Sequence, residues 1–255
     1  RACGLRYAEA FADPDAVYVD GYLKGETDFG LDIMHPVFQR YLDHAADLRM
    51  QRIERAYGGT GSLLDVGCGS GEVLRVAVRR GWQACGVEPV GESAAIARER
   101  GLDVRTTRLE DSGLPERSFD LVSAFHVLEH MTDGAGFLRT IARRVRPGGL
   151  VVVEVPNWRS FHRRNNGPHW PGLRPLEHVA HYEPKTLDVT LRRAGLVPRA
   201  VRTIGFLWEG QTLDQALADL ARPGWRARFG PLSRKGTHDG QPAVVPTTAG
   251  WTVLR

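Results

Sequence analysis

Three glycines at alternating positions sit in Leu63-Leu64-Asp65-Val66-Gly67-Cys68-Gly69-Ser70-Gly71, between an apolar run and a helical pattern. Residues without a Cβ let the backbone turn tightly there and come close to a ligand. The helix N-terminus just beyond presents N–H groups to an anionic group. The next apolar run ends Gly86-Val87-Glu88, placing a carboxylate 21 residues after Gly67. A carboxylate at the end of that strand accepts hydrogen bonds from both hydroxyls of a ribose. Together they describe a site for a nucleoside-bearing ligand. A dinucleotide fingerprint needs its third glycine at position 72, where this chain has Glu72. Asp65, just before the turn, suits a ligand carrying a positive group better than it suits a pyrophosphate.

The elements that must position these groups alternate regularly. Ser62 to Gly67 reads as a buried strand, and Glu72 to Arg80 as a helix closed by Gly81. Gln83 to Glu88 is a second strand, followed by a helix from Glu92 to Arg100 closed by Gly101. Val104 to Thr107 and Phe119 to Ala124 are two more strands. A helix over Gly134 to Val145 and a strand over Gly149 to Val155 complete the series. Short apolar strands alternating with ten-residue helices specify an α/β fold with a parallel sheet. Right-handed crossovers gather the carboxyl ends of those strands on one edge, where ligands bind. Beyond Pro156, residues 157–182 are rich in Trp, His, Asn, Arg and Pro with weak periodicity, the mark of a functional loop. Thr186 to Ala194 reads as a helix, Val197 to Leu207 as a strand and Gln211 to Leu220 as a helix. Trp251 to Leu254 is placed to close the sheet. Residues 1–57 form a separate N-terminal cap, with a helical pattern from Pro36 stopped by Gly58-Gly59-Thr60-Gly61; residues 58–255 form the main domain. Within the cap, Tyr18, Tyr22 and Phe29 are candidates for a lid.

The glycine turn, Gly86-Val87-Glu88, Ser118-Phe119-Asp120-Leu121-Val122, Val127-Leu128-Glu129-His130 and Arg146-Pro147-Gly148-Gly149 occur in an order and spacing that resemble class I S-adenosylmethionine-dependent methyltransferases. The resemblance spans about Ser62 to Leu207. It implies a Rossmann-like, doubly wound sheet of seven strands with the last antiparallel, and S-adenosyl-L-methionine as cofactor. It further implies that Asp65, Gly67, Cys68, Gly69 and Gly71 border the methionine end of the cofactor, that Glu88 holds the ribose, and that Leu109 and Glu110 border the adenine. Many relatives carry Asp where this chain has Arg108. Ala124, Phe125 and His126, at the end of the fourth strand, border the sulfonium on this reading. Arg1 to Tyr7, with Cys3-Gly4-Leu5, resembles the second half of a C-x-x-C-G-L zinc knuckle whose first cysteine would precede this chain.

Methyl transfer from a sulfonium is an in-line displacement with a neutral leaving group, so positioning the acceptor supplies much of the rate enhancement. A base is needed only where the acceptor loses a proton, as a hydroxyl does. Among nine histidines, His126, His178 and His181 are the candidates for that base. Trp158, Phe161 and Trp170 could wall the acceptor. His126, Glu129 and His130 fall at i, i+3 and i+4, and His178 or His181 could complete a metal site. Glu129-His130 is ordinary in metal-free relatives too, so the sequence reading assigns no metal.

Composition limits the partners. The chain has 255 residues, with 34 Lys and Arg against 30 Asp and Glu. Only Lys24, Lys185 and Lys235 are lysines, and the arginine pairs are scattered rather than gathered with aromatics in one stripe. Nucleic acid is therefore disfavoured and a small-molecule acceptor preferred. No apolar run is long enough to span a membrane. Cys3, Cys68 and Cys85 are too few for a disulfide framework, which points to the cytoplasm. The sequence sets no oligomeric state. The expected activity is O-methylation of a hydroxyl on a secondary metabolite or sugar, with C- or N-methylation or an RNA- or protein-modifying methyltransferase as alternatives.

Overall fold

The computed structural model describes residues 4–12, 36–170, 172–174, 176–204 and 249–254. The elements in chain order are β1 (Arg6–Tyr7), α1 (Pro36–Tyr57), β2 (Ser62–Val66), α2 (Glu72–Arg79), β3 (Gln83–Val87), α3 (Gly91–Glu99), β4 (Asp103–Arg105) and β5 (Phe119–Phe125). They continue with α4 (Gly134–Arg144), β6 (Val145–Pro156), α5 (Phe161–Asn166), β7 (Ala180–His181), α6 (Pro184–Arg193), β8 (Pro198–Ile204) and β9 (Ala249–Leu254). The main sheet has seven strands in the order β4-β3-β2-β5-β6-β9-β8. The five strands from β4 to β6 run parallel, and β9 runs antiparallel to both of its neighbours. The Rossmann-like α/β fold and the antiparallel last strand expected from the sequence are both present. The order reverses at β2, so the ends of β2, β3 and β5 frame the crevice in which such sheets bind ligands.

Adjacent residues on a strand point to opposite faces, and both faces of this sheet are buried. On one face Leu63, Leu121 and Val152 pack with Met50 and Ile53 of α1, Leu74 and Ala77 of α2, and Ala94 and Ala97 of α3. On the other, Leu64, Val122, Val151 and Val153 pack with Leu138 and Ile141 of α4 and Leu187 and Leu191 of α6. Local signals set the helix ends. The Asp133 side chain accepts the Gly136 N–H to cap α4, and Pro184 begins α6 behind a Glu183–Thr186 capping box.

The N-terminal helix is bound tightly to the domain. Arg80 of the α2 C-cap pairs with Asp47 at 2.9 Å and with Glu54 of α1, whose carboxylate also accepts the Trp82 indole N–H at 3.2 Å. The short strands β1 and β7 form a second, two-stranded antiparallel sheet in which Arg6 lies opposite His181. The Ala8 N–H donates to Val179 O and the Ala12 N–H to Leu176 O. Residues 4–12 therefore run along the loop of residues 157–182, which carries α5 and β7. Cys3, Tyr18, Tyr22, Phe29 and the expected helix over Gln211 to Leu220 lie outside the described residues. Among the described residues no helix is long and apolar enough to cross a membrane.

Candidate active site

The turn after β2 is shaped by three left-handed glycines, Gly67 at φ 68°, Gly69 at φ 55° and Gly71 at φ 85°. The three do different work. A Cβ on Gly67 would stand 2.5 Å from Cγ2 of Val127, and one on Gly71 would strike Leu102 and press on Ala97. A Cβ on Gly69 would meet no atom of the described residues within 4 Å, so this is the open side of the turn. The Gly67 N–H donates to Val87 O at 2.8 Å, tying the turn to the end of β3. There the Glu88 carboxylate accepts the Gly69 N–H at 2.9 Å and the Val90 N–H at 2.8 Å. Burial raises the Glu88 pKa, and these two N–H donors oppose the rise. The carboxylate is thus fixed in orientation beside the open face of the turn.

Asp65 is buried beneath the turn and accepts the Ser123 hydroxyl at 2.7 Å. Burial raises its pKa to about 7, against the Ser123 hydrogen bond and the positive charge of Arg49. Cys68 is buried, and a Cβ on Gly86 would stand 2.6 Å from its Sγ, so the small residues at 68 and 86 exist to let β2 and β3 close. Burial pushes the Cys68 thiol far up, which makes it inert as a nucleophile.

Beyond the end of β5 the chain enters the left-handed region at His126, φ 58°. Its Nδ1 lies 3.2 Å from Oε1 of Glu129 and its Nε2 3.1 Å from Oε1 of Glu154, so both ring nitrogens are engaged by carboxylates. Burial alone would lower the His126 pKa, but Glu129 and Glu154 overcome it and raise it to about 9. The side chain nonetheless keeps 36% exposure. Glu154 is fully buried in β6 and is gripped at both oxygens by Arg49 of α1, with Nε at 3.1 Å from Oε2. Burial raises the Glu154 pKa, yet Arg49 and His126 more than offset this and bring it to about 2. The Arg49 guanidinium also lies over the Phe125 ring at 5.1 Å.

The loop of residues 157–182 closes over this knot. His178 is buried, with Nδ1 3.0 Å from Gly172 O and Nε2 4.0 Å from Oε1 of Glu129. Burial lowers its pKa to about 4. His181 is also buried, with its ring 4.8 Å from that of Trp158, and burial lowers its pKa too. No hydrogen bond to another described residue occupies either ring nitrogen of His181. Trp158 meets Trp170 edge to face at 6.2 Å and carries the Arg163 guanidinium at 4.2 Å.

A sequence model described as a methyltransferase domain matches residues 38–201. The chain belongs to the S-adenosylmethionine-dependent methyltransferases of class I. It is 36% identical over 138 residues to the ubiquinone biosynthesis O-methyltransferase of Bradyrhizobium sp. (strain ORS 278), a match covering 50% of this chain and 54% of the relative. The enzyme of that name from Rhodopseudomonas palustris (strain BisB18) is 33% identical over the same length. The chain thus spans about half the length of the curated relatives it matches. Two solved structures share the fold. A possible histamine N-methyltransferase from Thermotoga maritima has TM-score 0.58 and 18% identity, covering 86% of this chain and 97% of that one. The 1,6-didemethyltoxoflavin-N1-methyltransferase of Burkholderia thailandensis has TM-score 0.59 and 16% identity, covering 98% of this chain and 94% of that one.

In this methyltransferase the open face over Gly69 gives access to the backbone, and the fixed Glu88 carboxylate offers acceptor oxygens beside it. The sequence-predicted residues separate into kinds. Gly67, Gly69, Gly71 and Glu88 meet at the crevice, and Phe125 and His126 lie at its β5 edge. Asp65, Cys68 and Ala124 are buried beneath or behind it. Leu109 is buried in the core while Glu110 beside it is exposed. Sequence reading missed Glu154 and Arg49. A single carboxylate inside Val151-Val152-Val153-Glu154-Val155 was the available signal, because a buried charge on a central strand demands a partner.

Proposed function

We propose that this methyltransferase transfers a methyl group to a hydroxyl oxygen of a small molecule, of secondary-metabolite or sugar type, and that His181 takes the hydroxyl proton. The cofactor, when bound, supplies an electrophilic methyl on a sulfonium; Glu88 and the backbone at Gly69 would hold it. The observation that carries the reading is the contrast among three imidazoles at one edge of the sheet. His126 has both nitrogens on carboxylates, and His178 has Nδ1 on a carbonyl and Nε2 turned to Glu129. His181 packs at a tilt against the Trp158 ring, with its nitrogens uncommitted among the described residues and its charge suppressed by burial. A neutral imidazole beside an apolar wall can accept a proton from a hydroxyl set against that wall. His126 instead orders the carboxylates beneath the site. The O-methyltransferase names of the relatives support oxygen as the methylated atom, and the sparse, scattered cysteines support a reducing, cytoplasmic setting.

The test is product analysis with labelled cofactor and a panel of phenols, catechols and nucleotide sugars. An O-methyl product is expected, and His181→Asn should cut kcat by roughly 10²–10⁴ while leaving affinity for S-adenosylhomocysteine unchanged. A methylated carbon or nitrogen, or full activity in His181→Asn, would refute the reading.

A further inference from the structure

One ligand atom each from Glu129, His130 and His178 lie within 4.8 Å of one another. Glu129 and His130 come from the 3-10 turn after β5, and His178 comes from the loop before β7. The imidazoles are oriented by backbone carbonyls, with His130 Nδ1 2.9 Å from Glu177 O and His178 Nδ1 3.0 Å from Gly172 O. A carbonyl can only accept, so Nδ1 carries a proton in each ring, and in the neutral imidazole the electron pair is then on Nε2. The Nε2 of His178 stands 4.0 Å from Oε1 of Glu129, too far for a hydrogen bond. The other oxygen of this carboxylate, Oε2, is buried with no hydrogen-bond partner among the described residues, in a side chain with 2% exposure. Ligand atoms of two imidazoles and a carboxylate gathered in one place, with the second oxygen of that buried carboxylate lacking a donor, are an arrangement that a cation satisfies.

We propose that Glu129, His130 and His178 bind one divalent transition-metal ion of the zinc and cobalt class. Two imidazoles and one carboxylate match the ligand preference of these ions, whereas magnesium and calcium take sets dominated by oxygen. The carbonyls behind the two Nδ1 atoms are the outer contacts that metal-binding histidines ordinarily make, and His126 steadies Glu129 through Oε1. Three protein ligands leave a coordination position open for an exogenous oxygen. The sequence reading weighs this set and assigns no metal, because Glu129-His130 is ordinary in metal-free relatives; the spacing cannot show that the Nδ1 atoms of His130 and His178 are both committed to backbone carbonyls. Metal binding stands apart from the identity of the acceptor and of the base, and it is measured without turnover.

The experiment uses the full chain, stripped with a chelator and titrated with Co²⁺ while visible ligand-field absorption is followed. Saturation at one equivalent is expected. Glu129→Gln and His178→Ala should each weaken binding at least tenfold, while His181→Asn should leave it unchanged. Should Glu129→Gln fail to fold, His130→Asn is read in the same way. No visible absorption on adding Co²⁺, or binding that survives both substitutions at full affinity, overturns the proposal.

Discussion

The Gly69 N–H and the Glu88 carboxylate are joined at 2.9 Å, so the residue that opens the turn also aims the acid beside it. Glu88→Ala removes acceptor oxygens from the proposed cofactor site and orphans two N–H donors, those of Gly69 and Val90. Lost hydrogen bonds to a charged group are each worth about 1.5–3 kcal/mol. Calorimetry with S-adenosylhomocysteine should therefore show affinity reduced by one to two orders of magnitude, and unaltered affinity would remove Glu88 from the cofactor site.

The glycines of the turn should separate binding from folding. Gly71→Ala drives a methyl into Leu102 and Ala97 at positive φ, so it should cost roughly 2–4 kcal/mol of stability. Gly69→Ala meets no protein atom and pays only the left-handed penalty, about 1–2 kcal/mol. Its methyl, however, enters the open space proposed for the cofactor. Denaturant melts should rank Gly71→Ala as the less stable variant, while cofactor titration should rank Gly69→Ala as the weaker binder among folded proteins. The reverse order on either measurement would mean that the open face lies elsewhere.

How much of this was legible in the sequence follows from the range of the forces involved. The βα alternation, the glycine turn and Glu88 were readable because strand and helix periods and positive-φ glycines are local properties. The helix α1 and the closing strand β9 were also readable, within a few residues. The pairing of β1 with β7 was not, since strands of two residues leave no periodicity. The knot of Arg49, His126 and Glu154 was hidden for another reason: its members are 105 and 28 residues apart and meet only through the sheet. For the same reason three histidines that look equivalent along the chain acquire different chemistry. Which nitrogen is engaged depends on carbonyls and carboxylates brought in by tertiary packing.

Acid stability should depend on Asp120. Burial raises the pKa of this carboxylate, but the Tyr57 hydroxyl, Ser62 and Arg146 outweigh it, and the net shift is downward. The Ser62 N–H and hydroxyl each lie 2.8 Å from Oδ2, fastening the start of β2 to β5. A carboxyl with a depressed folded pKa contributes stability above its unfolded value, about 3.9, and loses it as pH falls through the folded value. Asp120→Asn should therefore destabilise the protein by about 1–3 kcal/mol at pH 7. The gap from wild type should close as pH drops below about 4. Thermal melts from pH 7 to pH 3 check this, and a gap that stays constant with pH would show that the charge of Asp120 contributes nothing.

Arg49 supplies the last test, because it joins helix α1 to the one buried charged side chain of β6, near the carboxyl end of the strand. Arg49→Met keeps the bulk over Phe125 but leaves the fully buried Glu154 with His126 as its one side-chain hydrogen-bond partner among the described residues. Stripping one partner from a buried ion pair costs about 3–5 kcal/mol when nothing replaces it. Since His126 remains, a loss of roughly 2–4 kcal/mol is expected, or a fall in Tm of about 5–12 °C for a chain of this size. Arg49→Lys should fall between the two, because an ammonium cannot grip both oxygens of Glu154 as the guanidinium does. Glu154→Gln added to Arg49→Met should recover part of the loss by removing the stranded charge, and a double variant no more stable than Arg49→Met would show that the cost is lost packing on α1 rather than an uncompensated carboxylate.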